Sequence, residues 1–137
     1  MKPMEITFNT IVACIATFAT YLFGVWDTAI VVLITFMILD YITGVTHAYL
    51  SKTLSSDTGL KGISKKLLIV IVLIGAVMLD RLVGNGTWVF RTLVCYFYIA
   101  NEGISLLENV GNLGIPIPKK LKEALQQIRD KEESERE

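Results

Sequence analysis

The sequence predicts an all-α membrane protein with four transmembrane helices, or alternatively three, arranged as two helical hairpins and followed by a short amphipathic helix and a charged C-terminal tail. Hydrophobic residues make up 53% of the 137-residue chain and charged residues only 19%, against about 25% in soluble proteins. Twelve of the twenty-six charged residues fall in residues 119–137, so the remainder is very poor in charge. Apolar stretches crowd the first 83 residues, and about 20 such residues cross a bilayer.

Four apolar stretches account for the expected spans. The first is uncharged and ends at the turn Gly24–Asp27, where Trp26 suits a membrane interface. Because so few residues join it to the second stretch, these two should pair as a helical hairpin. The glycine-rich turn Gly84–Thr87 joins the third stretch to the fourth, which is the weakest because its strongly apolar part is only Leu93–Ala100. The spans are about residues 6–23, 28–50, 67–83 and 88–110.

Basic residues determine the expected orientation. The segment at residues 51–66 is predicted to be a polar loop with four lysines against one aspartate, and three more lysines follow the fourth span. The two short turns carry no lysine or arginine, so the positive-inside rule places both basic regions and both termini in the cytoplasm. Three spans would put the basic tail outside, which favours four. The loop lysines are Lys52, Lys61, Lys65 and Lys66.

The C-terminal segment has a different character. Pro116 and Pro118 cannot continue the fourth helix, but Pro118 can open a new helix as its first residue. Apolar residues then recur at i, i+4 and i+7, and residues 129–137 should form a solvated, frayed tail. The chain therefore divides into a transmembrane domain at 1–118 and a cytoplasmic tail at 119–137. The apolar stripe consists of Leu121, Leu125 and Ile128.

Polar residues inside the apolar stretches are the candidate functional groups. An acid at the bilayer centre costs about 2.5–3.5 kcal/mol on insertion scales, so it marks a functional site by default. Their helical spacing puts those of the second and fourth spans on one face of each helix. We expect these residues to form oligomer contacts or line a lumen. They are Asp40, Thr43, Gly44, His47, Asp80, Arg81, Arg91, Glu102, Ser105 and Asn109.

Two interpretations of Asp40 stay open at this point. It could form a structural ion pair inside the bundle, for instance with Arg91 or Arg81. Alternatively, it belongs to a polar surface that is hidden in one assembly and hydrated in another, because the acids at membrane depth outnumber the arginines. His47 lies about one turn from the cytoplasmic end, so we expect an interfacial residue rather than a proton relay.

Other classes of function find little support. Zero net charge without a basic, aromatic patch argues against nucleic acid as a partner. A single histidine and two separated cysteines, Cys14 and Cys95, indicate no metal site and no disulfide. Nothing resembles a nucleophile elbow or a phosphate-binding loop, so we expect no enzyme and no cofactor.

Several short blocks, taken in order, resemble the toxin-secretion/phage-lysis holin family. The resemblance covers roughly Asp40 to Ile128, and the succession of blocks is more specific than any one of them. Asp80, late in the third span, also fits the pattern. The other blocks are Leu39–Gly44, Gly59–Lys66, Tyr98–Asn109 and Gly114–Pro118.

The resemblance implies a phage protein that accumulates in the host cytoplasmic membrane as a homo-oligomer. At a set time it would open lesions that let an endolysin, without direct contact, reach the cell wall; some relatives export large toxins instead. A shorter product begun at Met4, which lacks Lys2, is a candidate antiholin, although we expect an ordinary start. The alternatives are a small ion or proton channel or transporter subunit, and a non-conducting scaffold whose tail recruits a partner.

Overall fold

Five α-helices make up the computed structural model, which describes residues 2–84 and 86–135 apart from the side chain of Glu132. Those residues contain no strand, which confirms the all-α class. Met1, Asn85 of the predicted turn, and Arg136 and Glu137 of the tail lie outside the described residues. The helices are α1 (Pro3–Phe23), α2 (Thr28–Leu50), α3 (Ser56–Val83), α4 (Val89–Asn112) and α5 (Lys119–Ser134).

Side-chain caps determine where α2 and α3 begin. The Asp27 carboxylate accepts a hydrogen bond from the Ile30 amide at 3.1 Å, and the Ser55 hydroxyl accepts one from Thr58 at 3.1 Å. Each bond satisfies an amide that the first helical turn leaves free. The predicted polar loop through residue 66 is therefore wrong, because α3 begins eleven residues before position 67. Of the predicted loop lysines only Lys52 lies outside a helix; Lys61, Lys65 and Lys66 lie in α3.

The core lies between α2, α3 and α4. Contacts between Asp27 and Arg91 at one end, and between Asp40 and Asn109 toward the other, show that α2 and α4 run parallel. α3 runs antiparallel to α2 and α4, and its residues at the spacing i, i+4 and i+7 face both of these helices. The buried cluster consists of Ile30, Leu33 and Met37 of α2, Ile69 and Leu73 of α3, and Cys95 and Ile99 of α4.

The first helix contributes only its last residue, Phe23, to the edge of this core. α1 has no fully buried residue, and it packs mainly against α3, where Arg81 donates to the Tyr21 carbonyl at 2.7 Å. It does not pack along α2, so the predicted first hairpin is wrong although the connecting turn is short. Gly24 ends α1 with φ +78 and ψ −130, a backbone conformation open mainly to glycine, and the chain leaves α1 there at an angle that other residues disfavour.

Among the described residues, two helices are long and apolar enough to cross a membrane, namely α1 and α2. α2 has only four buried residues, so most of its apolar surface faces outward, unlike the core helix of a soluble protein. In α3 the uncharged run at residues 67–79 is about 20 Å long, shorter than the roughly 30 Å hydrocarbon core. α4 carries Arg91, Glu102 and Glu108 within its length.

The last helix folds back along the bundle. Ile117 lies against Gly111 and Leu125 against Gly103, so α5 runs antiparallel to α4 and covers its second half. Pro118 is the residue before the first turn, not the first residue of the helix. The segment from Arg129 is helical through Ser134, so the predicted fraying is not observed in the described part of the tail.

Candidate functional site

In the described part of the chain, two groups of buried and half-buried polar residues connect the helices, one about half-way along the bundle and one at its end. The first lies toward the α2–α3 loop and is called the loop-side cluster. The second lies at the α1–α2 and α3–α4 turns and is called the turn-side network. The loop-side cluster consists of Asp40, Lys66, Glu102 and Asn109, and the turn-side network of Asp27, Asp80 and Arg91.

In the loop-side cluster one lysine serves two carboxylates. The Lys66 ammonium donates to Asp40 of α2 and to Glu102 of α4, so a single side chain of α3 joins all three core helices. Their side chains are only 12%, 10% and 18% exposed for Asp40, Glu102 and Lys66, respectively. Two acids with one cation leave this group formally one negative charge in excess, which burial makes costly.

Asn109 stabilises the acidic side of the loop-side cluster. Its side-chain amide donates to the Asp40 carboxylate at 3.0 Å, to the Asp40 carbonyl at 3.1 Å and to the Thr43 hydroxyl at 3.2 Å. Gly44 lies beside this contact, and a methyl group there would lie 3.4 Å from the Asn109 nitrogen, at the limit of ordinary van der Waals contact. The predicted polar faces of α2 and α4 therefore meet each other directly.

A cavity of about 360 Å³ opens beside the loop-side cluster. Its lining includes all four cluster residues, together with Ser105 and Lys65 among others. His47 is half-buried about two turns after Asp40 along α2 and does not line the cavity. The space has room for several water molecules beside the shared lysine, at the end of the bundle where the lysines Lys52 and Lys65 are exposed.

The turn-side network is built around Arg91, which is 2% exposed. Its guanidinium pairs with both oxygens of Asp27 at 3.0 Å, a two-pronged geometry that favours arginine over lysine. It also donates to the carbonyls of Phe23 at 2.7 Å and Val25 at 2.6 Å. One side chain of α4 therefore holds the whole α1–α2 turn.

Asp80 completes this network from α3. Its carboxylate accepts hydrogen bonds from the backbone amides of Phe90 at 3.0 Å and Arg91 at 2.7 Å. It thereby caps the N-terminus of α4, where the helix dipole favours a negative charge. A residue of one helix caps the next helix across the turn, so α3 and α4 are fixed relative to each other.

Asp27 has two roles, because it caps α2 and pairs with Arg91. The hydrogen bonds from the Arg91 guanidinium lower the pKa of the Asp27 carboxyl below its usual range, and the bond from Ile30 acts in the same direction. Desolvation by burial opposes them, but more weakly than the arginine. Asp27 therefore stays ionised well into the acidic range.

The structure shows Asp40 in an ion pair inside the bundle, as the first of the two interpretations expects, but the partner is Lys66 and not an arginine. Arg91 lies opposite Asp27, thirteen residues and so about 20 Å earlier along the parallel helices. Arg81 instead stacks on the rings of Tyr21 and Trp88, with its guanidinium carbon 4.4 and 5.3 Å from their centroids.

Sequence reasoning missed two residues of these groups. The composition of residues 51–66 predicts a loop, but Lys66 shares the buried face of α3 with Ile69 and Leu73 at i, i+3 and i+7, and that helical spacing is a usable signal. Asp27 falls in a predicted turn, and its position just before an apolar helix is the N-cap signal.

The chain matches the bacteriophage holin family over residues 17–130. The match includes both the loop-side cluster and the turn-side network. No solved structure matches the chain.

Similar proteins occur in several bacteria and in a phage. An uncharacterized 14.9 kDa protein in the nagH 3' region of Clostridium perfringens is 56% identical over 120 residues, covering 88% of this chain and 91% of that protein. YqxH of Bacillus subtilis is 37% identical over 102 residues, covering 74% and 71%. A probable holin of Bacillus phage phi105 is 42% identical over 82 residues, covering 59% of each.

Proposed function

This chain belongs to the bacteriophage holin family, and we propose that it oligomerises in the bacterial cytoplasmic membrane and permeabilises it at a set time. The lesion lets an endolysin, or alternatively a large toxin, cross to the cell wall. A shorter product begun at Met4 is a candidate antiholin. The likeness to a probable phage holin supports this function, and the loop-side cluster is the observation that carries the mechanism.

The mechanism starts from the buried charges of the loop-side cluster. Asp40 lies in the middle of α2, which is apolar enough to span a membrane, and its charge is tolerable because Lys66 and Asn109 bind it. The three-helix arrangement thus seals polar groups against one another in a single chain. Rotation of α2 and α4 in an oligomer turns the same groups toward water, which hydrates the excess acid and lines a lumen.

The proposed topology has four spans, with both termini in the cytoplasm. α3 and α4 are less apolar than α1 and α2, and they cross as members of a bundle in which their charges are paired. Lys52 in the loop after α2, the exposed lysines Lys61 and Lys65 in the first half of α3 and the lysines that open α5 lie toward the same end of the bundle, which supports a common cytoplasmic side.

Labelling tests this topology. Thr53→Cys and Gly86→Cys, each in a chain with Cys14 replaced by Ser, are treated in intact cells with a membrane-impermeant thiol reagent. We expect labelling only at position 86, in the α3–α4 turn. Labelling at 53 instead of 86 would contradict the orientation, and labelling at both positions would contradict the span count.

Expression of the gene alone in a bacterial host tests the function. We expect viable counts to hold and then fall abruptly, together with release of a protein-sized cytoplasmic reporter. The variants Asp40→Asn and Asp40→Leu should each shift that time, because they remove the charge that Lys66 and Asn109 bind. Asp57→Asn, in the exposed first turn of α3, is the matched control and should keep wild-type timing.

The outcomes separate this proposal from its main rival. A small ion or proton channel, the second candidate, is favoured by the uncompensated acid beside the 360 Å³ cavity. It predicts selective, saturable ion flux without release of the protein reporter. Such a result, or growth that continues after induction, would overturn the holin function. Unchanged timing in both Asp40 variants would refute the role of the loop-side cluster alone.

A further inference from the structure

A notch on α4 receives a leucine from α5. A methyl group built on Gly103 would lie 2.9 Å from Cδ1 of Leu125 and 2.9 Å from Cε2 of Phe36, so only glycine lets these side chains approach. We call this site, formed by Gly103 and Phe36, the Gly103 notch. Leu125 is buried there, whereas the other described side chains of α5 are half-buried or exposed.

The Gly103 notch lies deep along the spanning helices. Gly103 is nine residues before the end of α4, about 13 Å along the axis, and Phe36 is fourteen residues, about 21 Å, before the end of α2. The hydrocarbon core is about 30 Å thick. If α2 and α4 span the membrane, the notch lies near its centre, and α5 reaches the same depth.

A helix of the composition of α5 is not tolerated at that depth in lipid. Because α5 runs antiparallel to α4, the residues after Leu125 extend still further from the cytoplasmic end. They include Arg129, Asp130 and Lys131, and arginine, lysine or aspartate costs about 2.5–3.5 kcal/mol each at the bilayer centre. The contact of α5 with the notch and the insertion of α4 among lipids therefore exclude each other.

We propose that the Gly103 notch is a contact surface for a second copy of this chain, which α5 covers until α4 spans the membrane. The proposal rests on the proposed function, because it takes α4 as a span. Release of α5 leaves an apolar notch that already accommodates a leucine. Within a membrane, helices associate through close packing at small residues, so an apolar side chain of a neighbouring copy fits this site better than mobile lipid.

Leu125→Ala tests the cover. Truncating a buried leucine should raise the fraction of chains with α5 released by roughly tenfold or more. We expect cross-linked oligomers in isolated membranes at a lower amount of protein per membrane, and earlier release of the cytoplasmic reporter. Leu121→Ala, at a position 48% exposed on the same helix, is the matched control and should behave as wild type.

Gly103→Leu tests the notch itself. The added side chain fills the notch from α4, so it displaces α5 and also blocks a neighbouring copy. We expect at least a tenfold loss of cross-linked oligomers. Gly75→Leu is the matched control, because nothing lies within 4 Å of a methyl group at that helical glycine. If Gly103→Leu fails to accumulate, Gly103→Ala combined with Leu125→Ala fills the notch without the clash against Leu125.

Leu125→Ala and Gly103→Leu have opposite predicted effects on the amount of cross-linked oligomer, so comparing the two variants decides the proposal. Oligomers that form normally with the notch filled would overturn the proposal. So would a filled notch that accelerates assembly as Leu125→Ala does, because the notch would then serve only as the site for α5. A wild-type chain that forms oligomers through the notch but releases no protein reporter would instead overturn the proposed function and leave this contact standing.

Discussion

The turn-side network and the loop-side cluster solve the same problem in different ways. Both place charges between helices, but Arg91 is only 2% exposed and donates to three acceptors, the Asp27 carboxylate and the carbonyls of Phe23 and Val25. Lys66 is shared by two acids beside a cavity. The turn-side network therefore holds its helices in one arrangement. The loop-side cluster retains a charge imbalance that another arrangement of the helices can relieve.

Removing Arg91 should have the largest effect. Arg91→Leu leaves the carbonyls of Phe23 and Val25 and the carboxylate of Asp27 without their donor, and we expect a loss of about 3 kcal/mol because an acceptor left without a donor costs about 1–3 kcal/mol. Thermal unfolding in detergent measures this loss. Arg81→Leu, which removes an exposed arginine and one hydrogen bond, should cost far less. Equal melting temperatures for Arg91→Leu and Arg81→Leu would contradict the larger contribution to stability expected for Arg91.

Gly24→Ala should have the next largest effect, since it strains the same network through the backbone. Gly24 has φ +78 and ψ −130, and a methyl group there would lie 2.9 Å from Nε of Arg91. We expect a loss of about 2–3 kcal/mol from strain and the displaced arginine. Gly84→Ala is the control, because its φ +68 and ψ +18 are left-handed helical and should cost only about 1 kcal/mol. Equal losses of stability in Gly24→Ala and Gly84→Ala would mean that the Arg91 side chain moves away from the added methyl group at no energetic cost.

Lys66→Met should cost less than Arg91→Leu, about 2 kcal/mol, because the cavity of about 360 Å³ beside the loop-side cluster lets water reach the two acids that this variant leaves unpaired. The double variant Lys66→Met with Asp40→Asn should recover part of that loss, since it removes one of the two unpaired charges. Melting of the single and double variants checks the coupling. A double variant less stable than Lys66→Met would show that Asp40 and Lys66 are not energetically linked.

Acid should produce the smallest effect, and it should act on the turn-side network. The pKa of Asp27 is lower in the folded chain than in the unfolded chain, so its contribution to stability is present above the unfolded value of about 3.9 and declines as pH falls toward the folded value. Asp27→Asn keeps the N-cap but loses the charge. The difference in melting temperature between wild type and this variant should narrow below about pH 4. A constant difference would contradict the pairing.

Much of the fold was predictable from residue patterns. Apolar run length placed α1, α2 and α4 close to their observed bounds, and proline with the following stripe placed α5. The start of α3 was missed, because an amphipathic first half with exposed lysines resembles a loop in composition. The predicted first hairpin is wrong for a physical reason as well. A short turn limits the distance between the ends of α1 and α2, but the angle between the two helices depends on the backbone conformation of Gly24.

The candidate site was predictable by face but not by partner. Helical spacing identified the polar faces of α2 and α4 that meet at Asn109. It could not identify Lys66 as the partner of Asp40, because that pairing spans 26 residues and depends on how three helices pack. Periodicity predicts which face of its helix a side chain occupies, but it does not predict which residue of another helix packs against that face. For that reason the sequence suggests Arg91 or Arg81 as the partner of Asp40, although both arginines bind at the turns.

The long separations within the loop-side cluster also set an order of events during synthesis. Asp40 leaves the ribosome 26 residues before Lys66 and 69 residues before Asn109. At about 5–20 residues per second, the nascent α2 waits roughly 1–5 seconds for its lysine and several seconds more for its amide. Under the proposed topology, α2 therefore enters the membrane before the lysine and the amide that bind its carboxylate in the folded chain have been made, so the loop-side cluster can form only after the synthesis of α4.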